Sequence, residues 1–256
     1  MTDPIPGESL REDADIATSS EDYARRFAGD VGRWFLEIQS RLTLELLEGL
    51  PRNATVLDVG GGHAQITPSL LKSGYKVTVV GSHADCSTRL KPWIDGVSCR
   101  FEVADLRALP YEVQSFDGVV CLRLLPHSSA WTRLIGQLCR IARHMVLVDY
   151  PTTRSVNILS RPLFALKKGI ERNTRSFRLF SPREIRAAFR EHGFKVTAER
   201  PQFLFPMALH RLGRRAGPTR AVEESVRALG LTRWFGSPVL SRADRQPGPL
   251  TTSTTA

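Results

Sequence analysis

The chain has 256 residues, of which 41% are hydrophobic and 24% are charged, and its formal net charge is +10. This is the composition of a globular protein with one sizeable α/β domain or two small ones. The sequence has no run of about 18 apolar residues, so we expect no membrane-spanning segment.

The N-terminal segment differs in charge from the rest of the chain. Residues 1–22 hold seven acidic residues and one basic residue, whereas residues 151–220 hold sixteen Lys and Arg and four Glu. The acidic start lacks a basic stretch followed by an apolar one, so it does not resemble a secretory signal, and the default expectation is a cytoplasmic location. We predict that residues 1–19 form a disordered tail. The basic surplus elsewhere favours an anionic partner or simply a soluble, Arg-rich surface.

Residues 20–53 predict two helices. Ser20 and Asp30 are candidate N-caps, and Gly49 and Pro51 end the second helix. The second helix carries an apolar stripe with helical spacing. Its members are Trp34, Phe35, Ile38, Leu42, Leu46 and Leu47.

Residues 54–150 alternate between strands and helices. Runs rich in β-branched residues predict strands at 54–59, 75–81, 97–104, 115–122 and 144–150. Helices are predicted at 65–74, around 85–93 and at 128–142, the last capped by Ser128 or Ser129. This alternation favours right-handed βαβ units in a parallel sheet.

The last hundred residues are less regular. Residues 181–194 predict a helix, with Ser181 as N-cap and Glu184 three residues after it. Further elements are predicted as strands at 194–205 and 237–243, and as two helical pieces around Gly217–Pro218. Residues 246–256 are predicted to be a second disordered tail.

The cysteines do not indicate a metal site. They are Cys86, Cys99, Cys121 and Cys139, far apart in sequence and without a CxxC pair. We expect buried or half-buried free thiols, and we predict no metal because Cys and His are not clustered.

The stretch VLDVGGGHA at 56–64 is the most informative motif, because a strand there runs into an acidic residue and three glycines. A dinucleotide turn has the pattern GxGxxG, but counting from Gly60 the third glycine position is Gln65. A P-loop pattern, GxxxxGK followed by Ser or Thr, is absent. The turn therefore fits poorly with phosphate binding.

VLDVGGGHA resembles the first motif of class I S-adenosylmethionine-dependent methyltransferases, whose usual form is close to VLDVGCGTG. Three further segments are similar to that family in order and spacing: FEVADLRALP at 101–110, FDGVVCLRLLPH at 116–127 and REIRAAFREHGFKV at 183–196. The resemblance covers roughly residues 54–200. It implies an α/β, Rossmann-like sheet of seven mostly parallel strands in the order 3-2-1-4-5-7-6, with an antiparallel seventh strand and helices on both faces.

The resemblance also implies a single methyltransferase domain over residues 20–245. Its N-terminal helices would span 20–53, and its cofactor-binding core would span 54–150. Basic, helical segments at 151–180 and 206–235 would cover the substrate side.

S-adenosylmethionine is the cofactor that the resemblance implies. By position, Gly60, Gly61 and Gly62 would let the backbone approach its methionine part, and Asp58 would face its ammonium group. The alternative for these residues is a tight turn whose amides are fixed by a carboxylate.

The same resemblance assigns roles at the ends of the third and fourth strands. Asp105 would accept a hydrogen bond from the adenine amine, with Ala104 and Leu106 beside the ring. Backbone carbonyls near Cys121 and Leu122 would meet the amino-acid end of the cofactor. These residues could equally be a loop cap and ordinary core.

One position departs from the family. The second strand usually ends in Asp or Glu, which binds both ribose hydroxyls, but this chain has Gly81 there, followed by Ser82 and His83. Ser82 or His83 could substitute with neutral hydrogen bonds, at a loss of roughly 1.5–3 kcal/mol of binding free energy. We expect either weaker cofactor binding or a domain that has drifted from catalysis.

A general base is needed only if the methyl acceptor must lose a proton. His127 follows the fourth strand and Tyr150 follows the fifth, at the edge where open sheets bind ligands, so these two are the candidate catalytic residues. His63 lies within the glycine turn itself.

The segment 154–180 mixes basic and apolar side chains. Its members are Arg161, Lys167, Lys168, Arg172, Arg175 and Arg178, with Leu163, Phe164, Leu166 and Ile170 between them. The mixture fits a cover over an acidic or lipid-linked small molecule, peripheral membrane contact, or a purely structural helix pair.

Three functions stay open at this point. We expect a small-molecule methyltransferase. The charge suggests a nucleic-acid methyltransferase, but the [DN]PP[YF] signature is absent and aromatic residues do not interleave with the basic run. The glycine at position 81 suggests a non-catalytic binding protein on the same fold.

Overall fold

The computed structural model describes residues 13–96, 98–155, 177–206, 210 and 216–247. The strands are β1 Thr55–Val59, β2 Lys76–Gly81, β3 Cys99–Val103, β4 Phe116–Cys121, β5 Ala142–Tyr150, β6 Phe194–Phe203 and β7 Ser237–Arg245. The helices are α1 Ala14–Thr18, α2 Glu21–Arg25, α3 Gly29–Leu47, α4 Thr67–Lys72, α5 Lys91–Ile94, α6 Trp131–Ile141, α7 Pro182–Glu191, α8 Ala216–Ala228 and α9 Leu231–Phe235. Short 3-10 turns lie at Gly61–His63, Ala84–Leu90 and Leu125–His127.

The strands form one sheet in the order β3-β2-β1-β4-β5-β7-β6. Strands β1 to β5 pair in parallel, whereas β7 is antiparallel to both β5 and β6. This confirms the predicted fold class, strand order and antiparallel seventh strand. The order reverses between β1 and β4, which is the point where open sheets of this kind bind ligands.

Alternating residues of the central strands face two separate cores. Leu57 packs with the α6 side chains on one face, and its neighbour Val56 packs with the α3 side chains on the other. Both residues are fully buried. Because each such side chain contributes roughly 1.5–3 kcal/mol on burial, the two apolar faces fix the sheet between layers of helices.

Two predicted caps are confirmed. Ser20 caps α2 by accepting a hydrogen bond from the backbone N–H of Tyr23 at 3.2 Å. Ser181 and Glu184 form a reciprocal capping box at the start of α7, with N···O distances of 3.2 and 2.8 Å.

Three other predictions about helix ends are wrong. Asp30 lies inside the first turn of α3 and pairs with Arg33, while Ala28 is the N-cap. The serines at 128 and 129 do not cap α6, which begins at Trp131, because the backbone of Ser128 continues the preceding 3-10 turn by bonding Leu125. Residues 217–218 lie within α8, since a proline in a first turn costs the helix no hydrogen bond, and the break falls instead at Gly230 with φ +76°.

The predicted disorder of residues 1–19 is also wrong where the structure describes them. Residues 14–18 form α1, whose buried side chains contact the rest of the domain. At the other end, Gln246 donates its backbone N–H to Gly193, so the chain is still attached there. Residues 1–12 and 248–256 lie outside the described residues.

The described residues contain neither a membrane-spanning helix nor a cluster of metal ligands. No helix in this part of the chain has the length and apolar content to cross a membrane. No group of three or more His, Cys, Asp or Glu side chains in these same ranges is placed to hold a metal ion. The four cysteines are buried and free.

Candidate active site

The glycine turn lies at the carboxyl end of β1, between the ends of β2 and β4. Gly60 has a φ of +73°, in the left-handed region that favours glycine, and its N–H donates to the Val80 carbonyl at 2.8 Å. The chain then forms the 3-10 turn at Gly61–His63. The motif therefore produces the close-approach bend that the sequence predicted.

Asp58 lies directly beneath this bend and is fully buried. A Cβ placed on Gly61 would lie 2.0 Å from the Asp58 carboxylate, so only glycine fits above it. Neither carboxylate oxygen has a hydrogen-bond partner in the part of the chain that the structure describes. Burial raises the pKa of Asp58 to about 7. Such an orphaned acceptor pair indicates a missing donor, as an ammonium group would be.

His63 closes the turn and is buried. Its Nδ1 accepts the N–H of Gln65 at 3.2 Å. Burial, together with the nearby Arg123 and Arg89 cations, lowers the pKa of His63 to about 3. The imidazole is therefore neutral at physiological pH.

The end of β2 has no room for the acid that the family places there. A Cβ on Gly81 would lie 2.8 Å from Cys86 Cβ and 3.1 Å from the Phe101 ring. The following residue, Ser82, donates both its N–H and its hydroxyl to the Asp15 carboxylate of α1, at 2.7 and 2.5 Å. This edge of the site therefore presents donors rather than acceptors.

His83 does not reach the site in this structure. Its side chain is 57% exposed, and its Nδ1 accepts the backbone N–H of Asp85 at 3.3 Å. It caps the turn at Ala84–Leu90. The predicted contact of His83 with a ribose is therefore disfavoured.

The segment after β3 places its predicted adenine neighbours at the sheet edge. Ala104 donates its N–H to the Gly81 carbonyl at 3.0 Å, and Leu106 is fully buried. Asp105 accepts the N–H of Arg107 at 2.9 Å and pairs with its guanidinium at 3.4 Å. These contacts of Asp105 are those of a loop cap, the alternative that its position left open.

Cys121 and Leu122 end β4 in the core, where both are buried. Arg123 follows with a φ of +61° and donates its N–H to Asp149 Oδ1 at 2.5 Å. Its guanidinium donates to the amide oxygens of Gln39 and Gln65. Together, Arg123, Asp149, Gln39 and Gln65 form what we call the β4–β5 polar cluster.

The β4–β5 polar cluster is covered by the N-terminal helices. The Arg123 guanidinium lies 4.2 Å from the centre of the Phe27 ring, and Gln39 of α3 donates to Asp149 at 3.2 Å. Burial raises the pKa of Asp149, although the Arg123 N–H and charge act in the opposite direction. The cluster is a second buried polar region at the carboxyl edge of the sheet.

The two candidate bases lie in different surroundings. His127 is in the 3-10 turn after β4, with its ring 5.7 Å from that of Phe177. Tyr150 is fully buried and donates its hydroxyl to Glu199 Oε1 at 3.0 Å. Burial, followed by the Glu199 charge, raises the pKa of Tyr150 far above its usual value. A general base needs a lower pKa and a free hydroxyl, so the raised pKa and the bond to Glu199 disfavour Tyr150 in that role.

Most of the predicted basic cover lies outside the described residues, including Arg161, Lys167, Lys168, Arg172 and Arg175, and with it the predicted membrane contact. Arg178 is described, and it donates to Glu184 at 2.8 Å while lying over the Trp131 ring. Arg178 therefore stabilises the start of α7.

Asp15 and Arg123 are not among the predicted site residues, although both make hydrogen bonds at the sheet edge. Arg123 is a lone cation in an apolar run, CLRLLPH, and a buried charge of that kind usually has a partner. Asp15 is one of seven acidic residues in the N-terminal segment, and nothing in the local sequence separates it from the others.

Comparison with known proteins agrees with this arrangement. A family profile described as a methyltransferase domain matches residues 32–199. No curated protein matches the chain.

Several solved structures share the fold. Magnesium protoporphyrin IX methyltransferase from Synechocystis PCC 6803, solved with bound SAH, has a TM-score of 0.60 at 17% identity and covers 90% of this chain and 96% of its own. A candidate methyltransferase in complex with the Haloferax volcanii Trm112 methyltransferase activator has a TM-score of 0.61 at 18% identity, covering 94% and 98%. The [4+2]-cyclase SpnF has a TM-score of 0.56 at 17% identity, covering 82% and 81%. At these identities the likeness shows the fold alone.

Proposed function

Because the chain belongs to the class I S-adenosylmethionine-dependent methyltransferase family, we propose that it transfers the methyl group of S-adenosylmethionine to a small-molecule acceptor. The observation that carries this proposal is the Asp58 carboxylate. It is buried without a partner in the described residues, beneath a bend that only glycine can form. The bend lies where the strand order reverses, which is the ligand-binding point of such sheets.

The residues at the sheet edge fit the chemistry of this cofactor. Asp58 would accept from its ammonium group, and Gly60 and Gly62 would allow close approach of the backbone. Ser82 can donate to or accept from a ribose hydroxyl. Asp105 would accept from the adenine amine after giving up its contact with Arg107. When bound, the cofactor supplies a methyl group attached to a sulfonium, and the neutral thioether that remains after transfer is a good leaving group.

The protein's own task is then mainly to position the acceptor and exclude water. A nitrogen or carbon nucleophile that is already electron-rich needs no base. For a hydroxyl acceptor a proton must be removed, and His127 is our candidate because it follows β4 at the carboxyl edge.

The β4–β5 polar cluster supports an acidic acceptor. The guanidinium of Arg123 is held by two neutral amide oxygens, of Gln39 and Gln65. The Tyr23 hydroxyl also bonds this side chain, and the carboxylate of Asp149 accepts the Arg123 backbone N–H. Because an arginine fork matches a carboxylate in two places, an anionic group on the acceptor would suit this position.

Calorimetric titration with S-adenosylhomocysteine, the demethylated product, tests the cofactor assignment. We expect binding by the wild type and at least a tenfold loss for Gly60→Val. The matched control is Gly74→Val, since Gly74 also has a positive φ, of +86°, but lies in the turn before β2 with open space around it. Equal binding by all three proteins would remove the glycine turn from the site.

A second function is favoured by the position of α1, which lies on the glycine turn. The fold itself is not limited to proteins named as methyltransferases, since the SpnF structure shares it and is named as a [4+2]-cyclase. A non-catalytic or differently catalytic protein on this fold would therefore also be consistent with the site. It would show no thermal stabilisation by S-adenosylmethionine or S-adenosylhomocysteine at millimolar concentration.

A further inference from the structure

The helix α1 is held against the end of β2 by a buried carboxylate. Asp15 has no solvent exposure. It accepts the N–H and the hydroxyl of Ser82, and the Cys86 thiol lies 3.4 Å from the same carboxylate. Three donors around one carboxylate form a specific anchoring contact, since hydrogen bonds to a charged acceptor are the stronger kind.

The same helix covers the glycine turn. A Cβ built on Gly60 would lie 3.5 Å from the Asp15 Cβ. A Cβ built on Gly62 would lie 2.3 Å from the hydroxyl of Ser19, the C-cap residue that follows α1. A side chain on Gly62 would therefore clash with Ser19, whereas a Cβ on Gly60 would just reach Asp15, so α1 packs directly over the turn.

At the start of the same helix, Ala14 is buried in the large apolar cluster of the domain. The helix α1 therefore covers the glycine turn and the end of β2, the two segments that would meet the methionine and ribose parts of the cofactor. Two surface cavities among the described residues, of about 340 and 170 Å³, lie elsewhere, around Gly193 and His210.

The chemistry at the end of β2 explains why a carboxylate suits this place. Methyltransferases of this family usually have an acceptor there, but Gly81 cannot carry one because Cys86 and Phe101 occupy the space. The groups that remain are the Ser82 and Cys86 donors. An acceptor delivered from elsewhere in the chain satisfies them, and Asp15 is that acceptor.

We propose, resting on the function proposed above, that α1 is a built-in competitor of the cofactor: Asp15 closes α1 over the cleft, and S-adenosylmethionine binds only to molecules in which α1 has moved away. The apparent dissociation constant is then the intrinsic one divided by the open fraction. Weakening the Asp15 contact raises the open fraction and tightens cofactor binding.

The first test is Asp15→Ala in the full-length protein, titrated with S-adenosylhomocysteine by calorimetry. We expect binding about ten- to a hundredfold tighter than in the wild type, because the lost contacts are charge-assisted. The matched control is Asp13→Ala, which removes an exposed carboxylate without a capping bond two residues earlier and leaves the affinity unchanged. Weaker binding by Asp15→Ala would mean that Asp15 contacts the cofactor, and it would overturn the proposal.

A covalent lock provides the second test and does not depend on weakening the fold. The Ser19 hydroxyl and the Cys86 Cβ both lie within 3 Å of the same point above Gly62, so Ser19→Cys places two thiols close together. After oxidation we expect loss of S-adenosylhomocysteine binding with an unchanged or higher Tm, and recovery on reduction. The wild type, oxidised and reduced in parallel, controls for effects on the other cysteines. Full binding by the oxidised variant would overturn the proposal.

The outcomes separate this proposal from the assignment of the cofactor. If the wild type binds and Asp15→Ala binds equally well, competition by α1 is excluded while the methyltransferase assignment stands. If neither Asp15→Ala nor reduced Ser19→Cys binds S-adenosylhomocysteine, both proposals fail together.

Discussion

Two carboxylates on neighbouring strands show how differently the two edges of this sheet are built. Asp58 lies at the carboxyl edge, near the end of β1, and Asp117 lies at the amino edge, near the start of β4. Asp117 accepts the N–H and hydroxyl of Thr55 at 2.8 and 2.9 Å and the guanidinium of Arg143 at 2.6 Å. Asp58 has no hydrogen-bond partner in the described residues.

The contrast separates a carboxylate whose bonds are made within the fold from one that the described residues leave unpaired. Burial alone raises a carboxyl pKa, and for Asp58 that effect is unopposed. For Asp117 the bonds from Thr55 and Arg143 outweigh burial and hold its pKa below the usual value. At the amino edge, the hydrogen bonds of Asp117 are therefore made within the protein. At the carboxyl edge beside β1, no donor in the described residues bonds Asp58.

A third carboxylate, that of Glu223, shows that a carboxylate at the carboxyl edge can also be fully bonded. Its removal is expected to give the largest loss of stability. Glu223 of α8 is buried, and it accepts the N–H groups of Leu204 and Phe205 and an imidazole N–H of His210, although it lies beyond the carboxyl end of β6. We expect Glu223→Ala to cost about 3–5 kcal/mol of unfolding free energy, because it leaves buried donors unpaired.

Thermal unfolding at neutral pH checks this expectation, which corresponds to a fall in Tm of about 10 °C. The matched control is Glu224→Ala, whose carboxylate is 63% exposed and pairs with Arg220. Equal Tm values for the two variants would show that partners do not set the importance of a carboxylate in this fold.

The next largest effect is at Asp58 and has the opposite sign. Its folded-state pKa of about 7 lies above the usual 3.8, so its burial costs the wild type no stability below pH 3.8, and the loss grows as pH rises until it is complete above about 7. Asp58→Asn abolishes that loss. At pH 8.5 its free energy of unfolding should therefore exceed that of the wild type by up to about 4 kcal/mol. At pH 4 the two proteins should be alike.

Denaturant unfolding at pH 4, 6 and 8.5 measures the difference. A stability gap that does not widen with pH would mean that the Asp58 charge already has a partner. Added S-adenosylhomocysteine would also narrow the gap if its ammonium group pairs with the wild-type carboxylate.

Asp117→Asn should give a smaller effect, a loss of about 1–2 kcal/mol at neutral pH. Because the folded pKa of Asp117 is depressed, its contribution is present above the usual value of 3.8 and is lost as pH falls through the folded pKa. The deficit of the variant should therefore shrink in acid, whereas that of Glu224→Ala should stay near zero throughout. A constant deficit would assign the loss to packing instead of charge.

The smallest expected effect is at Asp22, a carboxylate in α2 that is 89% exposed and pairs with Arg25 across one helical turn. Asp22→Asn should leave Tm within about 1 °C of the wild type, because solvent screens such pairs. A larger fall would indicate that the N-terminal helices depend on surface charge.

The strands could be predicted because their β-branched runs are long and separated by clear turns. The helix α1 could not be, since five residues do not form a stable helix alone and its anchor is a contact with Ser82, 67 residues away. The glycine turn and Asp58 could be predicted because they belong to one contiguous motif, VLDVGGGHA at 56–64. Contacts such as those of Asp105 and His83 depend on neighbours that a motif does not specify.

The family match begins at residue 32, whereas α1 ends at Thr18. The helix that covers the glycine turn thus lies outside the segment that the family profile matches. Mutations between Ala14 and Ser19 can alter how often the cleft is open while every strand is left untouched.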